Sequence, residues 1–325
     1  MKKEMYSSEV TLLRDTFRRL LRRHAKTNIV KLLDKTHPSD LALIFRYFND
    51  NEQDSIFSNM LPSEETVKFL YELDESIATR LIEGETAERL AEIMQQASSN
   101  EQAFLMGLVS DDFASSVIDL LQTEEQEELE EMMAYPEDSA GILMYTDVFT
   151  LHEDTKAREA IYALQDQEDA EMVFYLYTLD DDGRLTGVIS LRDLVTTPSE
   201  TMLKDIMSKN IQAVRAETDQ EEVARIVSQY NFLAVPVVDA SEKLLGIVTV
   251  DSVVDVIREE ATEDFLQLAG AGKDREILLK SSWENARIRL PWLFASWVGG
   301  ILAAFIIGVF DNILESTIAL AAFIP

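Results

Sequence analysis

Between Asp255 and Gly272 the sequence reads DVIREEATEDFLQLAGAG, and its acids fall on a helical lattice. Asp255, Glu259 and Glu263 recur at every fourth residue, and Glu260 and Asp264 repeat that step one row over. On a helix such residues sit on successive turns of one face, where like charges repel by roughly 0.2–0.5 kcal/mol per pair. Rows of carboxylate oxygens with few bases among them are ligands for a hard divalent cation, which takes oxygen donors and tolerates water in its remaining positions. The plain alternative for any one of these residues is a solvated surface carboxylate.

A second candidate constellation lies in GVISLRDL, where Ser190, Arg192 and Asp193 follow an apolar strand. Read by itself, Asp193 there caps the helix after the strand. Other chemistry is scarce. The chain has no cysteine, which removes disulfides, thiolate metal sites and cysteine nucleophiles. Its three histidines, His24, His37 and His152, have no ligand spacing between them. With 60 acidic against 29 basic residues the net charge is −31, a field that repels nucleic acid and attracts cations. No nucleophile–base pair, phosphate-cradling Gly loop or metal-hydrolase motif is present, so the chain reads as a non-enzyme.

These groups need elements to hold them. Residues 1–27 form a basic amphipathic helix, with Leu12, Leu13, Phe17, Leu20 and Leu21 at helical spacing and Arg14, Arg18, Arg22 and Arg23 between them. It reads as the first helix of a soluble domain, the other reading being a helix on a lipid surface. Residues 28–134 read as many short helices, an acidic all-α array of stacked hairpins or a compact helical domain. Ser63 and the pair Thr123/Gln126 mark helix starts. From residue 135 strands alternate with helices, and a unit of about 60 residues occurs twice. MVFYLYTLDDDGRLTGVISLRDLV and FLAVPVVDASEKLLGIVTVDSVVDVI share the order strand, Asp-led turn, strand, helix. The copies are residues 135–197 and 198–257, and Thr197-Pro198-Ser199-Glu200 between them reads as a helix start. The carboxylate helix begins near residue 251 and runs through 258–285.

From Pro291 to Phe310, PWLFASWVGGILAAFIIGVF is uncharged for 20 residues, the length of a bilayer core, with Trp292 and Trp297 near its first end. Lys273, Arg275, Lys280, Arg287 and Arg289 precede it, while Asp311 and Glu315 follow. The positive-inside rule therefore places residues before about 290 in the cytoplasm. A second apolar run, STIALAAFIP, is half the length needed to cross, so residues 286–325 read as a first transmembrane helix and the start of a second in a multi-pass protein.

The repeated GVISLRDL and GIVTVDSV resemble the signature of a tandem pair of cystathionine β-synthase (CBS) domains, with Ser252 in place of the usual Asp. The whole order of acidic helical domain, EDSAGILM (Glu137–Met144), CBS pair and EEATED (Glu259–Asp264) before a membrane resembles the MgtE family of Mg²⁺ channels and transporters. That resemblance implies Mg²⁺ transport across the plasma membrane by a homodimer. It also implies a plug helix that closes the pore when cytosolic Mg²⁺ is high. It implies Mg²⁺ ligation by Asp255, Glu260, Glu263 and Asp264 of the plug, with Glu221 opposite Asp255, the Gly141 carbonyl opposite Glu263, and Asp251 and Glu259 as further candidates. Glu64, Glu65 and Glu92 of the helical domain are possible contributors. It further implies ATP as a regulatory ligand at Ser190, Arg192, Asp193 and Phe232. The competing reading is a CBS-regulated membrane adaptor that binds nucleotide or a partner protein and conducts nothing.

Overall fold

The computed structural model describes residues 2–136, 138–166, 174–268 and 282–309. The chain divides into two units, Met1–Val254 and Asp255–Pro325.

The first unit opens with helices α1 (Lys2–Arg22), α2 (Lys26–Leu33), α3 (Pro38–Phe45), α4 (Asp50–Phe57), α5 (Glu64–Tyr71) and α6 (Glu75–Glu83). It continues with α7 (Ala87–Met94), α8 (Ser99–Gly107), α9 (Asp111–Ile118) and α10 (Thr123–Met133). Alternate helices stack, α3 on α5, α5 on α7, α7 on α9 and α8 on α10, as in an array of helical hairpins. Phe45, Phe57, Phe69, Ile82, Leu90 and Leu105 fill the core. Phe17 of α1 is fully buried and α1 packs on α2, α3 and α4, so this basic helix belongs to the soluble core.

A device absent from the sequence reading joins the hairpins. Asn49-x-x-Glu52-Gln53, Ser98-x-x-Glu101-Gln102 and Gln122-x-x-Glu125-Gln126 start α4, α8 and α10. In each the first residue and the Glu form a reciprocal capping box. The Gln then reaches back to carbonyls at the end of the preceding helix, adding a donor where few backbone N–H groups remain. Gln53 Nε2 donates to the carbonyls of Phe45 (2.9 Å) and Phe48 (3.4 Å). Gln102 serves Met94 (2.9 Å) and Ala97 (3.2 Å), and Gln126 serves Ile118 (2.8 Å) and Leu121 (3.1 Å). The α10 start is thus capped by Gln122 with Glu125, one residue before the Thr123/Gln126 pair expected, because Gln126 is taken by this turn. Ser63 caps α5 as expected, accepting from Thr66 N at 3.3 Å.

After α11 (Ala140–Leu143) come two three-stranded sheets. The first has β1 (Thr150–His152), α12 (Ala157–Asp166), β2 (Tyr175–Leu179), β3 (Leu185–Ser190) and α13 (Leu191–Thr196). The second has β4 (Val214–Arg215), α14 (Gln220–Tyr230), β5 (Ala234–Val238), β6 (Leu244–Thr249) and α15 (Val250–Leu268). In both, the middle strand pairs parallel to the first and antiparallel to the third, with a register break at Thr178/Leu179 or Val237/Val238. The turns match too. The carboxylates of Asp180 and Asp239 each accept two backbone N–H bonds, at 2.7–2.9 Å. Gly183 (φ 79°) and Glu242 (φ 65°) take the left-handed position. Tyr177, Ala234 and Ile247 form a core shared by the two copies. Thr197–Glu200 starts no helix. Thr197 ends α13, and Glu200 is drawn instead into ion pairs with Lys156 (2.6 Å) and Arg158 (2.9 Å).

In the second unit α15 continues to Leu268, and α16 runs from Ser282 to Val309 with Leu293, Phe294, Trp297, Ile301 and Phe305 exposed. Among the described residues no helix is long and apolar enough to cross a membrane. The expected span Pro291–Phe310 ends on a residue outside them. Residues 269–281 of the expected carboxylate helix and all of the second apolar run lie outside them as well.

The Gln turns predict a selective loss of stability. Gln102→Ala removes both donors from the end of α7, leaving Met94 O with its bond from Ala97 N alone, and should cost about 1 kcal/mol or more. Gln96→Ala, at an exposed site, should stay within about 0.5 kcal/mol. Urea denaturation midpoints of the two variants check this.

Candidate functional site

The first CBS motif is open to solvent. Ser190 ends β3 and caps α13: its Oγ accepts from Asp193 N (3.1 Å) and donates to Asp193 Oδ2 (2.7 Å). The cap is therefore the Ser190 hydroxyl and not the Asp193 carboxylate expected, which instead accepts a bond from that hydroxyl. Both residues are exposed enough to exchange these bonds for a ligand's. Arg192 is exposed and makes no ion pair among the described residues. Phe232 follows the left-handed Asn231 (φ 55°) that ends α14, and its ring stacks on Tyr230 at 5.4 Å and 15°. Phe232 is half-buried, Ser190 is half-buried, and Arg192 and Asp193 are exposed.

The second motif is closed. Thr249 and Ser252 are buried, with their hydroxyls 3.4 Å apart. Over them lies the segment Met144–Tyr145. Tyr145 N donates to Ile247 O (2.8 Å) and Ile247 N to Tyr145 O (2.9 Å), adding a single antiparallel bridge at β6. Gly246 is required there, since a Cβ would stand 2.6 Å from Tyr145 O. Burial raises the Tyr145 phenol above its ordinary pKa and the Asp251 carboxylate adds to this, while hydrogen bonds from Asn100 and Ser252 oppose it.

The candidate metal ligands belong to three helices, α11, α14 and α15. Gly141 is buried in α11; its N–H donates to Ala216 O (2.8 Å), and the Tyr135 ring leaves no room for a Cβ. Glu221 is exposed in the first turn of α14, its N–H held by Asp219 Oδ1 at 2.9 Å. Asp251 is exposed in the first turn of α15. Asp255 is exposed and pairs with Arg258 at 3.4 Å. Glu260 is half-buried and Asp264 exposed. The side chains of Glu259 and Glu263 lie outside the described residues, although both fall within α15. Among the described residues no three His, Asp or Glu side chains gather into a group that could hold a metal ion. The donors are all oxygens, as Mg²⁺ prefers, and Mg²⁺ needs only one or two carboxylates when water completes its shell. The set therefore fits a bridging cation and does not form a closed cage.

A helical array followed by a tandem pair of α/β repeats, with one motif open and the other sealed, defines a CBS-pair protein with an N-terminal helical domain. The MgtE intracellular N domain matches residues 36–138, and the CBS domain matches 140–200 and 203–259. The magnesium transporter MgtE of Bacillus subtilis is 31% identical over 90% of this chain and 65% of its own length. That of Thermus thermophilus is 36% identical over 73% of this chain and 51% of its own. A crystal structure of the cytosolic domain of the Mg²⁺ channel MgtE in complex with ATP superposes with a TM-score of 0.71 at 31% identity, covering 75% of this chain and 99% of that one. The soluble part of a magnesium transporter superposes at 0.68 with 27% identity, over 78% of this chain and 99% of that one. The chain belongs to the MgtE family, and it spans about half to two thirds of the length of these two transporters.

One buried group in the shared core stands apart. The Tyr177 hydroxyl has no hydrogen-bond partner among the described residues, and burial pushes its pKa upward. Tyr177→Phe should leave stability unchanged or raise it by up to about 1 kcal/mol, since it removes an unpaired buried polar group. Thermal unfolding of the variant against the parent checks the sign.

Proposed function

We propose that this chain is the Mg²⁺-sensing gate and first membrane helix of a homodimeric magnesium transporter in the plasma membrane, with residues before about 290 in the cytoplasm. The observation that carries the reading is α15. It leaves the second CBS motif without a break and presents Asp255, Glu259, Glu260, Glu263 and Asp264 along one helix of an acidic chain. Without a divalent ion these carboxylates repel one another and other acidic surfaces. With Mg²⁺ bound between them and Glu221, Asp251 or the Gly141 carbonyl, the repulsion becomes attraction and the gate closes. The ion favours the closed arrangement because only there can two surfaces share it. The domain limits that go with this reading are residues 28–134, 135–197, 198–257, 258–285 and 286–325. The chain acts without catalysing a reaction.

Small-angle scattering of the chain should show compaction as Mg²⁺ rises through the millimolar range. Monovalent salt at matched ionic strength should not reproduce it. The triple change Asp255→Asn, Glu260→Gln, Glu263→Gln should raise the Mg²⁺ midpoint about ten-fold, equivalent to ~1.4 kcal/mol. Equal compaction by monovalent salt would reduce the effect to Debye screening and remove the gate.

ATP is the ligand we assign to the open first motif, in line with the ATP complex of the similar cytosolic domain. Arg192 supplies charge to the phosphates, Ser190 and Asp193 hydrogen-bond the sugar, and Phe232 covers the base. Arg192→Ala should weaken ATP binding about ten-fold by calorimetry, through loss of a charge-assisted contact. Ser252→Ala, at the sealed motif, should leave ATP affinity unchanged.

A further inference from the structure

Charge is divided unevenly along the helical array. Residues 1–35 hold ten basic residues against four acidic ones, whereas from Leu90 to Thr155 there are sixteen acidic residues and no base. The two stretches lie at opposite ends of the stack: α1 packs on α2, α3 and α4, and α10 on α8 and α11. At the basic end Arg19, Arg22 and Arg23 share one exposed face of α1, opposite the buried Phe17. Arg19 donates to Thr16 Oγ1 at 3.4 Å. Among the described residues the ion pairs of α1 are those of Arg14 with Asp15 and Arg18 with Glu52, so the three arginines have none. At the acidic end Glu127, Glu130 and Glu131 share one exposed face of α10 and likewise make no ion pair among the described residues. Glu128, off that face, hydrogen-bonds Thr146.

The two triads have the same spacing. Each reads i, i+3, i+4, which sets its charges about 4.5 and 6 Å apart along the helix axis. Within each triad like charges repel. Glu130 and Glu131 carry a further cost, since they stand in the last turn of α10, where the helix dipole disfavours carboxylates and no base is present. The nearest bases in sequence, Arg89 and Lys156, are held by Glu85 and Glu200. An array with one such face at each end is complementary to a second copy of itself. Repulsion between the two net charges is screened beyond about 8 Å at physiological ionic strength, so at contact the local charges decide.

We propose that the array docks head to tail on a second copy of this chain, the face of Arg19, Arg22 and Arg23 on α1 lying along the face of Glu127, Glu130 and Glu131 on α10. The two patches differ, so the contact is heterologous: it occurs twice about a two-fold axis or runs on from copy to copy. Exposed ion pairs are individually weak, so three in register act between copies already held close, as chains in one membrane are. The proposal rests on the membrane reading for that closeness alone.

The chain has no cysteine, so single introduced thiols report the contact. Asp15→Cys lies one turn before Arg19, and Thr123→Cys and Ala134→Cys flank the α10 triad; all but Thr123, in the first turn of α10, are set within or just beyond their helices, and all three sites are exposed. Full chains carrying one thiol each are mixed in vesicles without Mg²⁺ and oxidised. Asp15→Cys should form a mixed disulfide with one of the α10 thiols at least about five-fold faster than with a second Asp15→Cys chain. Adding Arg19→Glu, Arg22→Glu and Arg23→Glu should abolish that preference. Glu127→Lys, Glu130→Lys and Glu131→Lys in the partner should then restore it, which a misfolded variant could not do. No preference, or no rescue, would overturn the docking. Shielding of the Asp15→Cys thiol by anionic but not neutral vesicles, with no mixed disulfide, would assign the face to a lipid surface and overturn it equally. Vesicle flotation is read first: a chain that stays soluble overturns the membrane reading, and the same cross-linking in concentrated solution then decides the docking.

Discussion

Like charge must be managed before anything else in this molecule. At −31, any two of its surfaces repel on average, and the chain has half as many bases as acids. Many bases are already committed to local pairs: Arg80 with Asp54, Lys156 and Arg158 with Glu200, Arg215 with Glu242, Arg225 with Glu222. Such exposed pairs contribute little to stability. Their effect is to leave few cations for the acids of α15, where Arg258 beside Asp255 is the pair the structure places. On the proposed reading its acidic faces close when a small, highly charged ion comes from solution. That dependence is what the proposed sensing role uses.

Sensing requires parts that move as bodies, and the packing supplies them. In the helical array the Gln turns bind the end of one helix to the start of the next, so hairpins cannot splay without exposing carbonyls. In the CBS pair the two copies share one core around Tyr177, Ala234 and Ile247. Between the array and the pair runs the segment Ser139–Thr146. Ala140 and Gly141 donate backbone bonds to Thr218 and Ala216 at 2.8 Å, and Thr146 fastens to Ser99 of α8. The joint is therefore polar at its surface and specific in direction, unlike a broad apolar interface.

The two CBS motifs show how one local sequence pattern acquires two fates. Each ends a strand, starts a helix and offers a hydroxyl at the junction. The first is exposed, so its polar groups stay available. The second is roofed by Met144 and Tyr145, so its polar groups are used internally. The difference lies in a segment about a hundred residues earlier in the chain, and only the single change to Ser252 hints at it.

Much of this was legible in the residues. Alternation, Asp-led turns and a doubled glycine–apolar–Ser/Thr pattern defined the CBS pair, because a strand's two-residue period and a turn's backbone demands act over a few neighbours. Helical spacing defined the array and the row of acids on α15 for the same reason. What the sequence did not disclose are the partners chosen across distance. Gln126 serves a preceding helix end instead of its own cap, Glu200 leaves a good helix-start pattern for Lys156 and Arg158, and the Tyr145 backbone pairs with Ile247 at the edge of β6. In each case a local preference worth about 1 kcal/mol met a tertiary contact that satisfied a buried polar group or paired a charge, and the tertiary contact prevailed. Composition and local period thus determined what kinds of element and charge this protein has, and folding alone decided which of them meet, because burial is a property of the assembled chain.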